Sequence, residues 1–251
     1  MKIVVSFKVV HDDQDIQIAS DGSLDFSKAH KVVSSYDLNA IEAAAQLGAA
    51  TDSSVVAISA GGSGIDDSKL KKNVLARGVD ELFMIADDAC TNMDAFASAE
   101  VLASLLEKVG DFDLVICGDG SADNYAQQVD VQLAAKLGIP VVTAATKLTM
   151  TDTGLEIERT LEDVVEVVRV SLPAVVSVTP DAALPRIPGM KDIVSAGKKP
   201  SDVGSAPAVS ANTIEVLDCL APKGADRRGE IFDFAEEDSV SKFVAAIKAA
   251  L

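Results

Sequence analysis

The residues best placed to do chemistry lie in the stretch 113–140. An apolar run, Leu114–Cys117, meets Gly118-Asp119-Gly120, whose two glycines let the backbone turn tightly. A periodic segment follows and ends at Gly138; its apolar side chains, four residues apart, are Tyr125, Val129 and Leu133. This order predicts a strand, a tight turn and a helix. Because the start of such a helix offers unpaired N–H groups and a positive dipole end, we expect the turn to hold a nucleotide phosphate.

The acidic side chains of this stretch restrict how a phosphate can bind. Asp119, Asp123 and Asp130 would repel a phosphate that they faced, so we expect them to point away, cap the helix or accept from ribose hydroxyls. Asp123 is most simply the helix N-cap. Gln127 and Gln128, near the helix start, either support the phosphate with amide donors or lie on a solvated face. The phosphate itself is expected to rest on backbone N–H groups.

Two other predicted strands also end in small or polar residues. Ser6 lies near the end of the first strand, and Ser59-Ala60-Gly61 ends the second. In a doubly wound sheet these strand ends and Gly118 share one edge and can line one crevice. A turn alone explains any one of these loops, so it is the convergence of three that indicates a binding site.

Residue patterns for acid–base, nucleophilic or metal chemistry are not found. His11 and His30 are the only histidines, and neither belongs to a metal-ligand spacing. No G-x-S-x-G elbow, Walker A loop or G-x-G-x-x-G after the first strand occurs. Gly61-Gly62-Ser63-Gly64 superficially resembles a pyrophosphatase loop, but it lacks the required lysine and is interpreted as a turn. The pattern favours a carrier or binding protein without proton-transfer catalysis and without a metal.

Composition excludes several classes of partner. The 251 residues include 22 basic and 39 acidic side chains, a formal charge of 22 − 39 = −17, which argues against nucleic acid and anionic membranes. Cys90, Cys117 and Cys219 show no C-x-x-C spacing and indicate a reducing compartment. The strand pattern starts at the first residues without a signal peptide, and no apolar run is long enough to span a bilayer. We expect a cytoplasmic protein.

Strand and helix patterns alternate along the first 150 residues. The predicted strands are Lys2–Val10, Ser54–Ala60, Glu81–Ile85, Leu114–Cys117 and Val141–Leu148. Helices are expected from near Asp37 and over Ala95–Val109, among others. This alternation predicts an α/β fold, a doubly wound parallel sheet of the adenine-nucleotide-binding type.

The pattern changes after Thr149. Apolar and polar residues alternate over 155–161 and 165–172, which predicts an antiparallel hairpin at the sheet edge, and a buried strand is expected at 174–178. Residues 181–200 show no period, 213–217 suggest one short strand, and 240–251 carry a helical apolar stripe that ends at Leu251. We expect an α/β domain over residues 1–200. A C-terminal arm over 201–251 would pack its helix on this chain's own core or on a partner.

Short motifs spread over residues 1 to about 200 carry a family resemblance. They are Ser6-Phe-Lys8, Tyr36-Asp37 with Ala40-Ile-Glu42, Val56–Gly61, Ala76–Leu82, Phe112–Gly118 with Asp123 and Gln128, Ala134–Pro140, Leu172–Val176, Pro185–Met190 and Lys198-Lys-Pro200. Together they resemble the beta subunit of electron transfer flavoprotein, most closely its FixA-type branch. After Ser201 only the general plan of an arm and a terminal helix remains similar.

The resemblance implies a heterodimer with an alpha subunit that carries the redox-active FAD and receives the arm. The beta subunit would hold AMP as a structural nucleotide or, in electron-bifurcating members, a second FAD in the same place. The implied cofactor-binding positions are Ser6, Ser34, Ser35, Tyr36, Asp37, Ala60, Gly118, Asp123, Asn124, Gln127, Gln128 and Val129. Such a subunit is an electron carrier without catalytic residues.

A second set of implied residues concerns docking. Residues 181–193 resemble the recognition loop that anchors a redox partner, an acyl-CoA dehydrogenase or a related flavoprotein or quinone oxidoreductase. Arg186 and Met190 would dock that partner, with Met190 as the apolar anchor; the alternative for Met190 is core filler. The branch is associated with electron delivery in nitrogen fixation and with anaerobic carnitine or acyl-CoA metabolism.

Some residues depart from the family pattern, and they bear on which ligand is bound; two other classes of protein are also considered. Asp119 stands where family members often have Arg or Lys, and Val129 and Asp130 stand where others have small or hydroxyl-bearing residues, which leaves AMP and a second FAD both open. A stand-alone AMP- or ATP-binding regulator of the universal-stress type would share the sheet but leave the hairpin, the proline-containing loop and the arm without a role. An adenylating enzyme of the pyrophosphatase-loop class lacks its signature.

Overall fold

The computed structural model describes residues 1–224 and 229–250. They form two compact units, one of Met1–Gln17 with Asp25–Asp218 and the other of Ile18–Leu24 with the described residues from Cys219 onward. Leu251, the last residue of the predicted terminal stripe, lies outside the described residues.

Most strands follow the predicted apolar runs, but the prediction of a single first strand over Lys2–Val10 is wrong, because that run forms two strands, Lys2–Ser6 and Val9–His11, which belong to different sheets. In chain order they are β1 (Lys2–Ser6), β2 (Val9–His11), β3 (Gln17–Ile18), β4 (Leu24–Asp25), β5 (Lys31–Val33), β6 (Ser54–Gly61), β7 (Glu81–Ala86), β8 (Leu114–Gly118), β9 (Val141–Thr151), β10 (Gly154–Thr160), β11 (Val165–Val170), β12 (Ala174–Val178) and β13 (Ser201–Gly204). Two short pairs, β2 with β5 and β3 with β4, lie outside the main sheet.

The main sheet of the described residues has nine strands in the order β11-β10-β9-β12-β8-β1-β6-β7-β13. From β9 to β13 the neighbours run parallel, while β10 pairs antiparallel with both β9 and β11. The predicted fold class, a largely parallel α/β sheet with an antiparallel edge hairpin, is confirmed. From β1 the chain continues to β6 and β7 on one side of the sheet and then returns to the other side of β1 with β8. A topological switch point therefore lies between β1 and β8.

The helices cover both faces of this sheet, which explains why its strands are apolar on both sides. They are α1 (Ser35–Thr51), α2 (Ser68–Leu75), α3 (Ala95–Val109), α4 (Val129–Leu137) and α5 (Met190–Ala196). Ile3 and Val5 of β1 pack with residues of α1 and α2, whereas Val4, between them, packs with α3 and α4. Each such buried side chain contributes about 1.5–3 kcal/mol relative to exposure.

Several element boundaries differ from the sequence-based expectation. The α3 prediction is confirmed, and α1 begins two residues before Asp37 with Ser34 as its N-cap. The aperiodic stretch 181–200 contains a helix, α5, that the pattern did not predict. The suggested strand at 213–217 is wrong, because those residues form no strand, and residues 201–204 instead pair with β7.

The second unit contains the predicted terminal helix, α6 (Ser239–Ala250). Phe243 of α6 lies against Phe232 and Phe234, with ring centroids 5.6 and 6.2 Å apart. Most of its apolar stripe is exposed within the unit; the exposed side chains are Val240, Phe243, Val244 and Ile247. None of the described helices combines the length and the apolar character needed to cross a bilayer.

Candidate functional site

Three predicted site elements meet at the switch point. Ser6 ends β1, Gly118 ends the neighbouring β8, and the first turn of α1 lies against Gly118. Ser6 is buried and pairs with Ile58 of β6, two residues before Ala60, which lies half-buried on the same strand. The predicted convergence of Ser6, Ala60 and Gly118 at one sheet edge is therefore present in the strand register.

Gly118 is required by the close approach of α1. A Cβ at this position would lie 2.7 Å from Asp37 Oδ1 and 3.0 and 3.1 Å from the backbone C and O of Tyr36. The Tyr36 atoms belong to the main chain, so they cannot rotate away as a side chain could. The glycine lets the first turn of α1 sit directly on the end of β8.

Asp37 is the buried polar centre of this junction. Its Oδ2 accepts a 2.8 Å hydrogen bond from the backbone N–H of Lys8, and Gly118 N–H and the Ser34 hydroxyl also donate to the carboxylate. Burial nevertheless dominates and raises the pKa of Asp37 from 3.8 to about 7, because the charged form loses its hydration. The carboxylate thus ties β1, β8 and α1 together at an energetic cost near neutral pH.

The loop after Gly118 differs from the predicted tight turn. Residues 119–128 run without regular structure, and Tyr125 and Gln127 hold positive φ angles of 44° and 54°, which non-glycine residues rarely adopt. The Tyr125 hydroxyl donates to Asp119 Oδ2 at 2.7 Å, and its ring lies 4.9 Å from that of Tyr36. The hydrogen bond to Asp119 raises the pKa of Tyr125 to about 12.

Asp123 does not cap a helix, so that prediction is wrong. The N-cap of α4 is Gln128, five residues later, because the left-handed residues at 125 and 127 cannot belong to the helix. Asp123 Oδ2 instead receives Lys8 Nζ at 2.5 Å. Burial raises the pKa of Asp123, but hydrogen bonds from Lys8 and Ser121 outweigh it and leave the pKa below its ordinary value.

The remaining predicted site residues lie along the same loop. Asn124, Gln127 and Gln128 are exposed, and Val129 is the first residue of α4. The Gln128 side chain accepts from Gln132 Nε2 at 3.0 Å. Ser34 Oγ accepts from the backbone N–H of Ala122 at 3.3 Å, which ties the start of α1 to the loop.

Sequence reasoning missed several polar groups at this edge. The ion pair between Lys8, two residues beyond Ser6, and Asp123 was not expected, whereas Asp130, which was expected to avoid a phosphate, is buried in the first turn of α4. Ser177 on β12 is buried opposite Cys117 of β8, and a hydroxyl inside an apolar run was the only signal for it. Burial raises the pKa of the Cys117 thiol to about 12, so this cysteine stays protonated and is no nucleophile.

Three buried oxygen atoms near the crevice have no hydrogen-bond partner within the described residues. They are Ser59 Oγ, Ser177 Oγ and Asp119 Oδ1. Buried polar atoms are normally hydrogen-bonded, so these three oxygen atoms leave room for a partner such as an ordered water or a polar ligand. No cluster of metal-ligating side chains occurs within residues 1–224 and 229–250.

The two predicted docking residues lie on a different surface of the first unit. Met190, at the start of α5, is 77% exposed, so the core-filler alternative does not hold. Arg186 directs its guanidinium towards Glu42 of α1, with Nε 2.6 Å from Oε2. A shallow cavity of about 330 Å³ beside Met190 is lined by Met190, Lys191, Val194, Ser195 and Lys198.

The largely parallel sheet, covered by helices on both faces and with a topological switch point between β1 and β8, places the chain in the doubly wound α/β class of proteins. The family model of the electron transfer flavoprotein domain matches residues 22–227. The chain therefore belongs to the electron transfer flavoprotein domain family, whose members are associated with flavin and with electron transfer between partner proteins.

Proposed function

We propose that this chain is the beta subunit, of the FixA-type branch, of a cytoplasmic electron transfer flavoprotein. It would form a heterodimer with an alpha subunit that carries the redox-active FAD. In its own crevice it would hold AMP or a second FAD, and it would dock an acyl-CoA dehydrogenase or a related flavoprotein or quinone oxidoreductase. The task of the chain is to hold cofactors and partners; the hydride and electron chemistry is supplied by flavin.

The close approach of Gly118 to α1 at the switch point carries the nucleotide proposal. It sets the first turn of α1 directly against the end of β8, beside the strand ends where open α/β sheets bind their ligands. The adjacent loop and the α4 N-terminus supply backbone N–H groups for a phosphate. The exposed amides of Gln127 and Gln128 add side-chain donors beside them.

The acidic residues of the crevice are compatible with this ligand. Lys8 compensates the charge of Asp123, which removes most of the repulsion that this carboxylate would exert on a phosphate. Asp119 already accepts from Tyr125 through Oδ2, and its unpaired Oδ1 suits a ribose hydroxyl. Neither carboxylate therefore needs to face a phosphate.

The exposed apolar side chains of the second unit support a companion subunit. Phe243, Val244 and Ile247 of α6 stay exposed, as do Ile231 and Phe234 before it. A water-exposed apolar set of this size is typical of a protein–protein interface. A stand-alone universal-stress-type regulator gives these residues no role, and the family match does not favour it.

Co-purification tests the proposed function. The chain is expressed with the protein encoded beside it, and the complex is analysed for stoichiometry, colour and nucleotide. A yellow 1:1 complex is the expected result. One flavin per heterodimer would then indicate AMP in this chain, and two would indicate a second FAD. A colourless self-dimer that carries ATP would contradict the proposal and favour the regulator. Two flavins per heterodimer would also fit an electron-bifurcating complex.

Met190→Ala should slow electron transfer to the dehydrogenase while leaving cofactor content unchanged. Met190 is exposed, and the shallow cavity beside it is lined by no predicted cofactor-binding residue, so its truncation is expected to remove contact area for a partner. A central apolar anchor costs more than 1 kcal/mol on truncation, roughly a tenfold rise in the KM for the carrier. Stopped-flow reduction and flavin content are measured.

Val165→Ala is the matched control for Met190→Ala. Val165 is similarly exposed but lies on β11, at the far edge of the sheet from α5. It should leave the transfer rate unchanged. Loss of cofactor from Met190→Ala with normal docking would show that the side chain serves the nucleotide site instead.

A further inference from the structure

The segment 180–190 carries three strongly exposed apolar side chains in an otherwise acidic protein. Leu184, Ile187 and Met190 are 87%, 95% and 77% exposed, although residues 183–189 form no regular structure. Exposed apolar groups on an unsupported loop would normally fold inwards or move freely. We call residues 180–190 the docking segment. A set of contacts beneath it holds these side chains facing outwards.

The first contacts come from Asn39 of α1. Its Nδ2 donates to Pro180 O at 3.0 Å and to Ala183 O at 2.7 Å. Ala183 itself is buried against the core on that side. One buried amide side chain thus fixes the start of the docking segment to α1.

The second contact is a bidentate ion pair one turn later on the same helix. Arg186 Nε lies 2.6 Å from Glu42 Oε2 and Nη2 lies 3.0 Å from Oε1, while the Arg186 backbone N–H donates to the same carboxylate at 3.2 Å. The Glu42 side chain is 6% exposed. Burial raises the pKa of Glu42, but the hydrogen bonds from Arg186 and Gln46 more than compensate, and the pKa lies below its ordinary value.

The loop after α2 completes the anchor from the opposite side. Arg77 Nη1 donates to the carbonyl oxygen of Arg186. Gly78 makes room for the guanidinium, because a Cβ there would lie 3.3 Å from Arg186 Nη1 and 2.8 Å from Ala45 Cβ. Arg186 is therefore held at its side chain by α1 and at its backbone by Arg77.

We infer that the Glu42–Arg186 pair is a positioning device that presents the docking segment to the redox partner. Arg186 acts through Glu42, and the partner contacts the apolar side chains on either side of it. Asn39 and Glu42 share α1 with Tyr36 and Asp37, so one helix fixes the docking segment relative to the nucleotide crevice. The docking role rests on the proposed function; the anchoring contacts do not.

Arg186→Ala and Arg186→Lys test the inference in the purified complex. The lysine variant keeps the charge but lacks the planar fork, so it cannot restore the bidentate contact. Arg169→Ala is the matched control, because Arg169 pairs with Glu156 at 3.3 Å on the edge hairpin and anchors no exposed segment. Amide hydrogen exchange over residues 184–190 and the steady-state kinetics of an acyl-CoA dehydrogenase reduced by its acyl-CoA are measured.

Arg186→Ala should accelerate exchange over 184–190 about tenfold or more and raise the KM of the dehydrogenase for the carrier, with kcat, flavin content and nucleotide content unchanged. Arg186→Lys should fall between alanine and wild type, and Arg169→Ala should match wild type. Unchanged exchange or unchanged KM in both Arg186 variants, with normal wild-type transfer, overturns the inference alone. A wild-type complex that accepts no electrons from the reduced dehydrogenase overturns the proposed function and the docking role together.

Discussion

Gly118→Ala is expected to remove the bound nucleotide from the purified protein. The added methyl carbon would lie 2.7 Å from Asp37 Oδ1, closer than real Cβ contacts come, and 3.0 Å from the carbonyl carbon of Tyr36, which is tighter than most real Cβ contacts. The first turn of α1 must therefore shift away from β8. That shift moves the Ser34–Asp37 turn and the loop after Gly118, which together form the crevice.

The stability cost of Gly118→Ala should be moderate and the binding loss large. Overpacking of a well-packed site typically costs 1–3 kcal/mol, which lowers the Tm by a few degrees for a chain of this size. Nucleotide binding depends on donors held in fixed directions, so a displacement of a few tenths of an ångström affects several contacts at once. Nucleotide content of the purified protein and its Tm are measured together.

Two other glycines separate a binding effect from destabilisation. Gly48→Ala introduces an equally close contact, 2.7 Å to Val55 Cγ2, but in the core at the far end of α1. It should lower the Tm and retain nucleotide. Gly224→Ala meets nothing within 4 Å among the described residues and should change neither quantity. Nucleotide retained by Gly118→Ala at wild-type level would show that the crevice lies elsewhere.

The sheet could be predicted from sequence because its signal is local. Runs such as Ile3-Val4-Val5 and Ala174–Val178 are apolar on both faces, and only a strand covered by helices on both sides requires that. The convergence of strand ends at one edge then follows from parallel topology. Strand order does not follow from such patterns, and β12 lies between β8 and β9 although it follows the hairpin in the chain.

The loop 119–128 could not be predicted because its conformation depends on distant residues. Tyr125 and Asp123 are held by Tyr36 and by Lys8, which is 115 residues from Asp123 in sequence. Apolar residues at positions 125, 129 and 133 are compatible with a helix that begins before Val129, and the positive φ angles of Tyr125 and Gln127 prevent that earlier start. Such backbone strain costs about 1–3 kcal/mol and persists where surrounding contacts enforce it.

The docking segment illustrates a second limit of sequence patterns. Helix α5 buries only Ala196, so its sequence lacks the periodic apolar face that predicts a helix. The Glu42–Arg186 pair joins residues 144 apart, and a single arginine in a proline-containing loop does not indicate whether it faces a partner or its own chain. The motif resemblance predicts docking for both Arg186 and Met190, and the geometry distinguishes the two: Arg186 is paired with Glu42, whereas Met190 is exposed.

Asp37→Asn should remove the dependence of stability on pH that this carboxyl imposes. The pKa of Asp37 is raised to about 7 in the folded chain by burial, against about 3.9 for an aspartate in the unfolded chain. Between those two values the folded state binds more protons than the unfolded state, so the free energy of unfolding falls as the pH rises. The stabilising contribution is complete below about pH 4 and lost above about pH 7.

The size of this effect follows from the separation of the two pKa values. About three pKa units at about 1.4 kcal/mol each correspond to an effect on the order of 4 kcal/mol between the two limits. Asparagine mimics the neutral form and does not titrate. The stability of wild type relative to Asp37→Asn should therefore decrease by several kcal/mol between pH 5 and pH 8, as measured by urea unfolding at both values.

Asp94→Asn provides the matched control, because Asp94 is the N-cap of α3 and its pKa is shifted in the opposite direction. Hydrogen bonds from Ala97 N–H and Thr213 lower the pKa of Asp94 to about 2, so it is ionised in folded and unfolded chains throughout pH 5–8. Asparagine is an equally good N-cap for Ala97 N–H, but it lacks the second carboxylate oxygen that accepts from Thr213, so the substitution should cost about 1 kcal/mol at both pH values. A wild-type to Asp37→Asn difference that is equally constant would mean that the three hydrogen bonds to Asp37 outweigh its burial. The carboxylate would then stabilise the junction of β1, β8 and α1 instead of opposing it.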